Sequence, residues 1–535
     1  MGRARGWLGV LLLTSIVGCS GEDGGDATGT GGSATGGQGG SGGTGGTAGA
    51  AGSGGLAGAA GQAGSGGQGG LEVSFYACAA ASGFNFECAK PELPLDPQKP
   101  SGKKVTVFIR KALAKKTPVR GQLWVLQGGP GVSTTKTLAP QVPGFAGLAP
   151  DLDVYFIDHR GTGLSSPLDC AALDATGGNV DTKPLTEFTG DVTACLKTLG
   201  ATWSDAELAH FSAEDAGRDL GELIDATRKP GEQVFVMGLS YGTRWAQRYL
   251  RAFPTQASGV VLDGIVADDL DFASYHKDHE EVAKTLFSAC DADAFCKGKL
   301  PGGAYANLAA LIPKLEAGHC PTSAKLTARD YRHLFRRVFQ IRAALLPPLV
   351  YRVARCDAAD QDVILKTTKL SPSIPGYSVA LHYNVALSEL NPSGIASDAA
   401  LDAEDKLLFS TTNNEHKYYR AARDLWPEYA PKTGYPVTQT PMLLLNGTLD
   451  GQTTLAKAQA VKAVFTAPKQ TFVAVQNAGH GVGPTPCGST LITAFLAAPD
   501  AAVDASCAAT GVPLDFEKAG QGIWYGPTGN TWENP

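Results

Sequence analysis

The sequence predicts an α/β protein, in which a mostly parallel sheet is covered by helices on both faces. Short apolar runs typical of buried strands alternate with helical patterns between residues 105 and 263, and strand runs return after residue 436. Between residues 268 and 435 such runs disappear and helical patterns dominate. We therefore expect a sheet domain in two parts, residues 71–267 and 436–535, with a helical lid at residues 268–435 inserted between them.

Seven apolar runs mark the predicted strands. They lie within residues 105–110, 121–127, 152–157, 234–238, 260–263, 441–446 and 470–475. Helices are predicted where apolar residues recur with a helical period, as at residues 243–250 and 331–339. One helix has a clear start, because Ser212 precedes an acidic first turn and caps a segment that runs to about Arg228.

The N-terminal residues resemble an export signal. Basic residues precede an apolar stretch at residues 7–17, which is too short to span a bilayer as a helix. It ends in Ile-Val-Gly-Cys-Ser at residues 16–20, which resembles the lipobox of bacterial lipoproteins. We expect residues 1–18 to be a lipoprotein signal peptide and Cys19 to be lipidated, with ordinary signal cleavage as the alternative. Ser20 favours anchoring in the outer membrane of a Gram-negative cell envelope.

A low-complexity segment follows the predicted lipidation site. Residues 19–70 are dominated by Gly and small residues, and they bury too little apolar surface to fold. We expect a flexible tether, since about 50 such residues span roughly 40 Å root-mean-square. The whole chain of 535 residues has a formal net charge of -6, which argues against a nucleic-acid partner, because proteins that bind nucleic acid are usually basic.

The cysteines suggest disulfide bonds. The chain has 11 cysteines, and setting Cys19 aside leaves an even number, as expected for an exported disulfide framework. A zinc site is the alternative, but the sequence has no Cys-x-x-Cys pair. Connectivity is not determined by sequence, and proximity along the chain suggests the pairs Cys78–Cys88, Cys170–Cys195, Cys290–Cys296, Cys320–Cys356 and Cys487–Cys507.

The clearest functional motif is Gly238-Leu239-Ser240-Tyr241-Gly242. It lies between a predicted buried strand and a predicted helix, which is the context of a nucleophile elbow. Glycine at both ends allows a tight turn, and the N–H groups that begin the following helix lie behind the serine hydroxyl. Ser240 is therefore the candidate nucleophile, and an ordinary strand-to-helix turn is the alternative.

A serine nucleophile needs a base within hydrogen-bonding reach, and the base needs an acid that orients it. Asp450 and His480 are the candidates, because each follows the carboxyl end of a predicted strand. The chain order Ser240, Asp450, His480 is that of α/β-hydrolases, and we predict this fold. The alternatives are a turn-forming aspartate and a structural loop histidine. His276 and His279 lack metalloprotease spacing, so we interpret them as surface or lid groups.

Acyl transfer also needs N–H donors for the oxyanion that develops in the transition state. The backbone N–H of Tyr241, directly after the candidate nucleophile, is one candidate. The loop Gly128-Gly129-Pro130-Gly131 is expected to supply the other through Gly129, because glycine lets the backbone approach a substrate carbonyl. A plain tight turn is the alternative for this loop.

Together these motifs resemble the proline iminopeptidase and tripeptidyl aminopeptidase family of serine peptidases. Residues 127–131, Gln-Gly-Gly-Pro-Gly, are similar to the family's His-Gly-Gly-Pro-Gly loop, and residues 158–165 are similar to its Asp-x-Arg-Gly-x-Gly-x-Ser block. The segments around Ser240, Asp450 and His480 fit in the same order. The similarity spans roughly residues 105–496, with the lid weakly matched. Gln127 departs from the family's His and leaves open how the loop is anchored.

The resemblance implies an exported serine aminopeptidase that acts on peptide substrates from a free N-terminus, without cofactor or metal. It implies that Ser240 forms an acyl-enzyme, that His480 transfers the proton and that Asp450 orients His480. An esterase or lactonase with the same machinery is one alternative, and a non-catalytic surface binding protein is another. The oligomeric state is left open.

An aminopeptidase of this kind needs carboxylates for the substrate ammonium, and acidic residues occur where the predicted lid begins. None is assigned, because such a cluster is more often a solvated face. Asp158 and Arg160 are expected to brace the loop around the site. The acidic residues considered for the ammonium are Asp268, Asp269, Asp271, Glu280 and Glu281.

Overall fold

The computed structural model describes residues 71–177, 183–272, 275–370, 374–391, 397–405, 409–410, 415–525 and 529–533. The predicted signal peptide, the lipidation site Cys19 and the tether lie outside the described residues. Within the described ranges, none of the helices combines the length and the apolar character that a membrane span requires.

The strands build one large sheet and one small one. They are β1 (Tyr76–Ala81), β2 (Phe84–Ala89), β3 (Glu92–Pro94), β4 (Lys104–Thr106), β5 (Ile109–Ala112), β6 (Gly121–Leu126), β7 (Leu152–Ile157), β8 (Gln233–Leu239), β9 (Gly259–Asp263), β10 (Met442–Gly447) and β11 (Gln470–Val475). The large sheet has the order β1-β2-β5-β7-β6-β8-β9-β10-β11, and β3 pairs with β4. From β7 to β11 all neighbouring strands are parallel. Their carboxyl ends therefore lie along one edge.

The helices form the other layers and the lid. They are α1 (Thr134–Thr137), α2 (Val142–Leu148), α3 (Ala171–Asp174), α4 (Leu185–Gly200), α5 (Asp205–Leu208), α6 (Ala213–Thr227), α7 (Tyr241–Ala252), α8 (Tyr275–Ala292), α9 (Ala294–Lys299), α10 (Ala304–Glu316), α11 (Ala328–Arg342), α12 (Leu346–Arg355), α13 (Ala358–Thr368), α14 (Val379–Glu389), α15 (Asp398–Asp405), α16 (Glu415–Arg423), α17 (Leu455–Lys462), α18 (Pro486–Ala497) and α19 (Cys507–Thr510). The helix expected to start after Ser212 is α6, and the Ser212 hydroxyl accepts the N–H of Asp215.

The central strands are buried on both faces. Along β6, Trp124 and Leu126 belong to one hydrophobic cluster with residues of α6 and α7, whereas Leu123 and Val125 belong to another with residues of α2 and α18. This alternation follows from the two-residue side-chain period of a strand, and every position of β6 is buried. The predicted α/β-hydrolase fold, with helices on both faces of a mostly parallel sheet, is confirmed.

The single strand predicted at residues 105–110 is wrong. These residues contribute to β4 in the small sheet and to β5 in the large one. Between the two strands, the N–H of Val107 donates to the carbonyl of Pro91 (3.0 Å), and the N–H of Phe108 donates to the hydroxyl of Ser165 (2.7 Å). These bonds replace the ladder bonds of a continuous strand. Apolar alternation reports burial and not the pairing partner, so it did not separate the two strands.

The described residues between β9 and β10 form helices α8 to α16, which we call the lid. His276 and His279 lie on α8 and are fully buried, so neither is a surface group. The C-terminal segment packs into the lid, because Trp524 and Trp532 are 3% and 0% exposed and belong to the hydrophobic cluster of the lid. The chain thus returns from the sheet domain to complete the lid core.

We expect Trp532→Ala to lower the free energy of unfolding by about 3–5 kcal/mol, because a fully buried indole leaves a cavity. The variant also loses the hydrogen bond from the indole N–H to the carbonyl of Phe516 (2.7 Å). Chemical denaturation measures the change. Leu425→Ala is the control, since this side chain is 39% exposed and its loss should cost less than about 0.5 kcal/mol. A similar loss of stability in both variants would contradict a role for Trp532 in the core of the lid.

The structure confirms the disulfide framework, and the cysteines pair as their proximity in sequence suggested. Two bonds cross-link the lid, and one ties α18 to α19. The five bonds are Cys78–Cys88, Cys170–Cys195, Cys290–Cys296, Cys320–Cys356 and Cys487–Cys507.

Candidate active site

Ser240 lies in the turn between β8 and α7 and has a positive φ of 53°. A non-glycine residue in this conformation is strained, and close packing of the turn maintains it. A Cβ on Gly238 would lie 2.3 Å from the carbonyl oxygen of Gly242, and a Cβ on Gly242 would lie 2.2 Å from that of Leu126. Only glycine fits at both positions. The turn therefore has the geometry of a nucleophile elbow.

Ser240 and His480 line one cavity of about 560 Å³. Residues of the sheet domain and of the lid both contribute to its wall, so the cavity lies between the carboxyl edge of the sheet and the lid. Among the described residues, no hydrogen bond joins Ser240 Oγ to the His480 ring. Such bonds are often long in a free enzyme and tighten only when substrate binds.

Asp450 and His480 form a hydrogen-bonded pair. His480 Nδ1 lies 3.0 Å from Oδ2 and 3.1 Å from Oδ1 of Asp450, which is fully buried. The carboxylate also accepts the N–H groups of Gln452 and Thr453 (2.9 Å each) and the Thr453 hydroxyl (2.7 Å). Because carboxylate oxygens only accept, the proton of neutral His480 is on Nδ1. This tautomer leaves Nε2 as the atom that can accept a proton.

The two groups shift each other's pKa. Burial disfavours the charged form of each group. For His480, the charge and hydrogen bond of the Asp450 carboxylate have a larger effect than burial and raise its pKa above the ordinary 6.5. In the same way, His480 and the donors from Thr453 hold the pKa of Asp450 below 3.8 despite burial. The pair thus favours an ionised aspartate beside a histidine that is a stronger base than in water.

We expect kcat/KM for an uncharged substrate to fall at acid pH, with a midpoint above 6.5. In the predicted mechanism neutral His480 accepts the proton of Ser240, and a raised pKa keeps the ring protonated to higher pH. Initial rates between about pH 5 and about pH 9 at constant ionic strength measure this midpoint. A midpoint below 6.5 would contradict the coupling between His480 and Asp450.

Asp263 carries no sequence motif, yet it connects the nucleophile elbow to the loop that carries His480. We call this loop, residues 476–485, the histidine loop. Its buried carboxylate accepts the N–H groups of Val482 and Gly483 (2.7 Å each), and its carbonyl accepts the N–H of Ser240 (2.9 Å). Burial raises the pKa of this carboxyl to about 6 although the two N–H donors act in the opposite direction. A polar residue that ends the apolar run of β9 was the available signal.

We expect Asp263→Ala to lower kcat on the order of 10- to 100-fold, because the loop that carries His480 loses its anchor. Two buried N–H groups would lose their acceptors, which costs about 1–3 kcal/mol of stability. Asp500→Ala is the control, since Asp500 forms an exposed ion pair with Lys469 and its loss should cost less than about 1 kcal/mol. Kinetics and denaturation of both variants provide the test, and unchanged kcat in Asp263→Ala would contradict it.

The two predicted oxyanion donors have N–H groups that do not donate to any other described residue. Gly129 lines the cavity beside Ser240, since a Cβ on neighbouring Gly128 would come within 3.1 Å of Ser240 Oγ. Tyr241 directly follows Ser240 at the start of α7. The N–H of Gly128 is occupied, because it donates to Gln127 Oε1 (2.7 Å). Gly129 and Tyr241 therefore remain the candidates.

The contacts of Gln127 answer how the loop is anchored. The side-chain oxygen accepts from Gly128, and Nε2 donates to the hydroxyl of Thr137 (3.1 Å). Its backbone N–H donates to the hydroxyl of Thr134 (3.3 Å). An amide at this position thus holds the loop through its own acceptor and donor.

Asp158 and Arg160 lie outside the cavity wall and hold neighbouring loops. Asp158 is buried and accepts the hydroxyls of Ser133 (2.8 Å) and Thr135 (2.7 Å), just after the loop at residues 127–131. Arg160 is buried and donates to both carboxylate oxygens of Asp219 (2.7 Å and 2.6 Å). These contacts are structural and bring neither side chain to Ser240.

The acidic residues considered for a substrate ammonium do not line the cavity. Asp268 pairs with Arg244 (2.9 Å) and Arg248 (2.7 Å). Glu280 accepts the hydroxyl of Tyr305 and the N–H of Phe409. The structure thus gives Asp268 and Glu280 structural partners away from the candidate nucleophile.

The cavity wall is mainly apolar and aromatic. Among the described residues that line it, Asp263 is the only carboxylate and Arg336 is the only arginine or lysine. The lid side of the wall is rich in rings, from Phe272, Tyr275, Tyr377, His382, Tyr383 and Tyr419. Such a wall offers a bound molecule mainly apolar and aromatic contacts.

The fold and the placement of these side chains at the carboxyl edge of the sheet define an α/β-hydrolase architecture. A family model described as "TAP-like protein" matches residues 418–507, a segment that contains both Asp450 and His480. The structure of a thermophilic esterase from Thermogutta terrifontis is 12% identical, with a TM-score of 0.32, over 77% of this chain and 99% of that one.

Curated relatives match part of the chain. The serine protease Hip1 of Mycobacterium tuberculosis is 24% identical over 34% of this chain and 36% of its own length. Tripeptidyl aminopeptidase of Streptomyces coelicolor is 24% identical over 34% of this chain and 35% of its own length. The chain thus matches about a third of the length of either relative.

Proposed function

We propose that the protein is a serine hydrolase that forms an acyl-enzyme on Ser240. The proposal depends on one observation: the hydrogen-bonded Asp450–His480 pair and the strained turn of Ser240 meet at the same cavity. The N–H groups of Gly129 and Tyr241 complete the requirements of acyl transfer.

In this mechanism, Ser240 Oγ attacks the substrate carbonyl carbon while His480 Nε2 takes the hydroxyl proton. The N–H groups of Gly129 and Tyr241 donate to the oxyanion of the tetrahedral intermediate. His480 then protonates the leaving amine or alcohol, which departs and leaves the acyl-enzyme. A water that gives its proton to His480 hydrolyses the acyl ester, and Asp450 stabilises the imidazolium in both half-reactions.

Within this class we propose an aminopeptidase that acts on short peptides from their free N-terminus. The motif at residues 127–131, the block at residues 158–165 and the motif around Ser240 resemble those of aminopeptidases. The partial similarity to a tripeptidyl aminopeptidase and to a serine protease supports the same reading.

The cavity wall favours a second candidate, an esterase or lactonase that acts on uncharged acyl groups. A free ammonium that leaves water needs a carboxylate or a comparable partner. The one carboxylate on the described cavity wall, Asp263, already accepts the N–H groups of Val482 and Gly483. The two candidates therefore differ in whether a free amine on the substrate speeds or slows its hydrolysis.

Peptide amides of graded length, each with a free and an N-acetylated amine, distinguish the candidates together with matched p-nitrophenyl esters. Mass spectrometry of the products identifies the bond cleaved. For an aminopeptidase, acetylation should slow cleavage at least about tenfold, because the amine contacts are lost. Equal cleavage of acetylated peptides, or cleavage of esters alone, would remove the aminopeptidase proposal and support the second candidate. Ser240→Ala excludes contaminating peptidases.

We also propose that lipid on Cys19 anchors the protein to the cell envelope, with residues 19–70 as the tether. Metabolic labelling with an alkyne fatty acid and cell fractionation test this. The wild type should be labelled and found in the membrane fraction, whereas Cys19→Ala should be unlabelled. An unlabelled, released wild-type protein would overturn the proposal.

A further inference from the structure

The lid contacts the loop that carries the candidate oxyanion donor, which we call the oxyanion loop (residues 127–131). The N–H of Ser378, just before α14, donates to the carbonyl of Gly131 (2.8 Å). Val132 and Tyr377 pair in an isolated β-bridge, and a Cβ on Gly131 would lie 2.4 Å from the Ser378 carbonyl oxygen. The backbone of the lid thus lies directly against the loop.

His382 extends this contact from the next turn of α14. Its Nδ1 lies 3.2 Å from the carbonyl oxygen of Pro130, and its Nε2 lies 2.6 Å from the hydroxyl of Tyr419. A carbonyl only accepts, so Nδ1 carries the proton and Nε2 accepts from Tyr419. Burial lowers the pKa of His382 to about 4, which keeps the ring neutral near pH 7.

The oxyanion loop is therefore held on both sides of Gly129. Before it, Gln127 Oε1 accepts the N–H of Gly128 (2.7 Å). After it, His382 and Ser378 hold two successive carbonyls, those of Pro130 and Gly131. Between these anchors, Gly129 lines the cavity and its N–H donates to no described residue.

We propose that His382 is a positioning residue for catalysis: its Nδ1–H holds the Pro130 carbonyl and thereby aims the Gly129 N–H at the oxyanion. The inference rests on the proposed hydrolase function. His382 itself donates nothing to the substrate. Its role makes the oxyanion site depend on contact with the lid, because Tyr419 and α14 both belong to the lid.

Two substitutions of His382 distinguish the role of Nδ1 from that of Nε2. Asparagine places an amide N–H near the position of Nδ1, whereas glutamine reaches the position of Nε2 and leaves the Pro130 carbonyl without its donor. We expect His382→Gln to lower kcat for a p-nitrophenyl ester on the order of 10- to 100-fold with a small change in KM. His382→Asn should recover most of that loss. His319→Gln is the matched control, since His319 bonds to the Val353 carbonyl elsewhere in the lid (2.9 Å).

A readout specific to the oxyanion accompanies these rates. The ratio of turnover for an oxygen ester to that for its thiono analogue depends on donors aimed at the carbonyl oxygen, since sulfur accepts hydrogen bonds poorly. His382→Gln should lower this ratio, and His382→Asn and His319→Gln should keep it near the wild-type ratio. Tyr419→Phe removes the donor to His382 Nε2 and should lower this ratio to a smaller extent. This variant provides the test if His382→Gln does not fold.

Several outcomes overturn the inference. Wild-type kcat in His382→Gln would do so, as would an unchanged ester ratio in both His382→Gln and Tyr419→Phe. Equal losses in the Gln and Asn variants would assign His382 a packing role alone. If the wild type hydrolyses esters and Ser240 reacts with a fluorophosphonate, such results reject the positioning role of His382 and leave the hydrolase proposal intact. A wild type that does neither rejects both.

Discussion

Ser240→Ala is expected to lower kcat by a factor on the order of 10⁴–10⁶, because no acyl-enzyme forms without the hydroxyl. The substitution retains Cβ and removes only Oγ, so the positive φ and the contacts of the turn stay as they are. We therefore expect stability to change by less than about 1 kcal/mol. Steady-state kinetics with an ester, covalent labelling by a fluorophosphonate and chemical denaturation of the same preparations measure the three quantities.

The control for this variant is Ser288→Ala in the lid, where the hydroxyl only donates to the carbonyl of Lys284 (2.9 Å). This variant should be labelled and should turn over substrate like the wild type. Residual activity in Ser240→Ala within about a hundredfold of wild type would mean that another nucleophile performs the reaction. Labelling of Ser240→Ala would have the same meaning.

Asp450→Asn is expected to lower kcat by a factor on the order of 10⁴. One carboxylate oxygen, Oδ1, accepts the N–H groups of Gln452 and Thr453, so the asparagine oxygen should occupy that position. Its NH₂ group then faces His480 Nδ1, where Oδ2 lies 3.0 Å away in the wild type. Two donors cannot share a hydrogen bond, and the ring proton moves to Nε2, which removes the acceptor for Ser240.

A second readout of Asp450→Asn is the pH dependence of the remaining activity. The carboxylate raises the pKa of His480, so loss of its charge should move the acid limb of kcat/KM to lower pH. A large loss of kcat without this shift would contradict the coupling. Asp504→Asn is the control, since this exposed aspartate accepts the N–H of Ser506 (2.9 Å), does not line the cavity and should change neither quantity.

Much of the candidate site was visible in local patterns. A strand that ends in Gly-x-Ser-x-Gly needs a tight turn, and the contacts of Gly238 and Gly242 show the steric reason. Asp450 and His480 each follow a parallel strand, and parallel strands bring their carboxyl ends to one edge of a sheet. Their hydrogen bond was therefore expected from the topology, although the oxyanion donors and the catalytic roles stay predictions.

Other parts of the site depend on contacts between segments far apart in sequence. Asp263 and His382 carry no motif, and their roles depend on backbone groups of the histidine loop and of the oxyanion loop, which lie 219 and 252 residues away along the chain. The acidic residues at the start of the lid were considered as partners for a substrate ammonium, but Asp268 forms ion pairs with Arg244 and Arg248 on α7. No spacing rule reports such pairings.

The α/β-hydrolase fold, the elbow around Ser240 and the positions of Asp450 and His480 followed from short-range patterns, because backbone sterics and side-chain periods act within a few residues. The burial of Trp532 in the lid, the division of residues 105–110 between two sheets and the contact of His382 with the oxyanion loop followed only from the folded chain. These features arise where distant backbone groups and apolar surfaces meet, and the free energy of such contacts depends on the whole packing arrangement rather than on neighbouring residues.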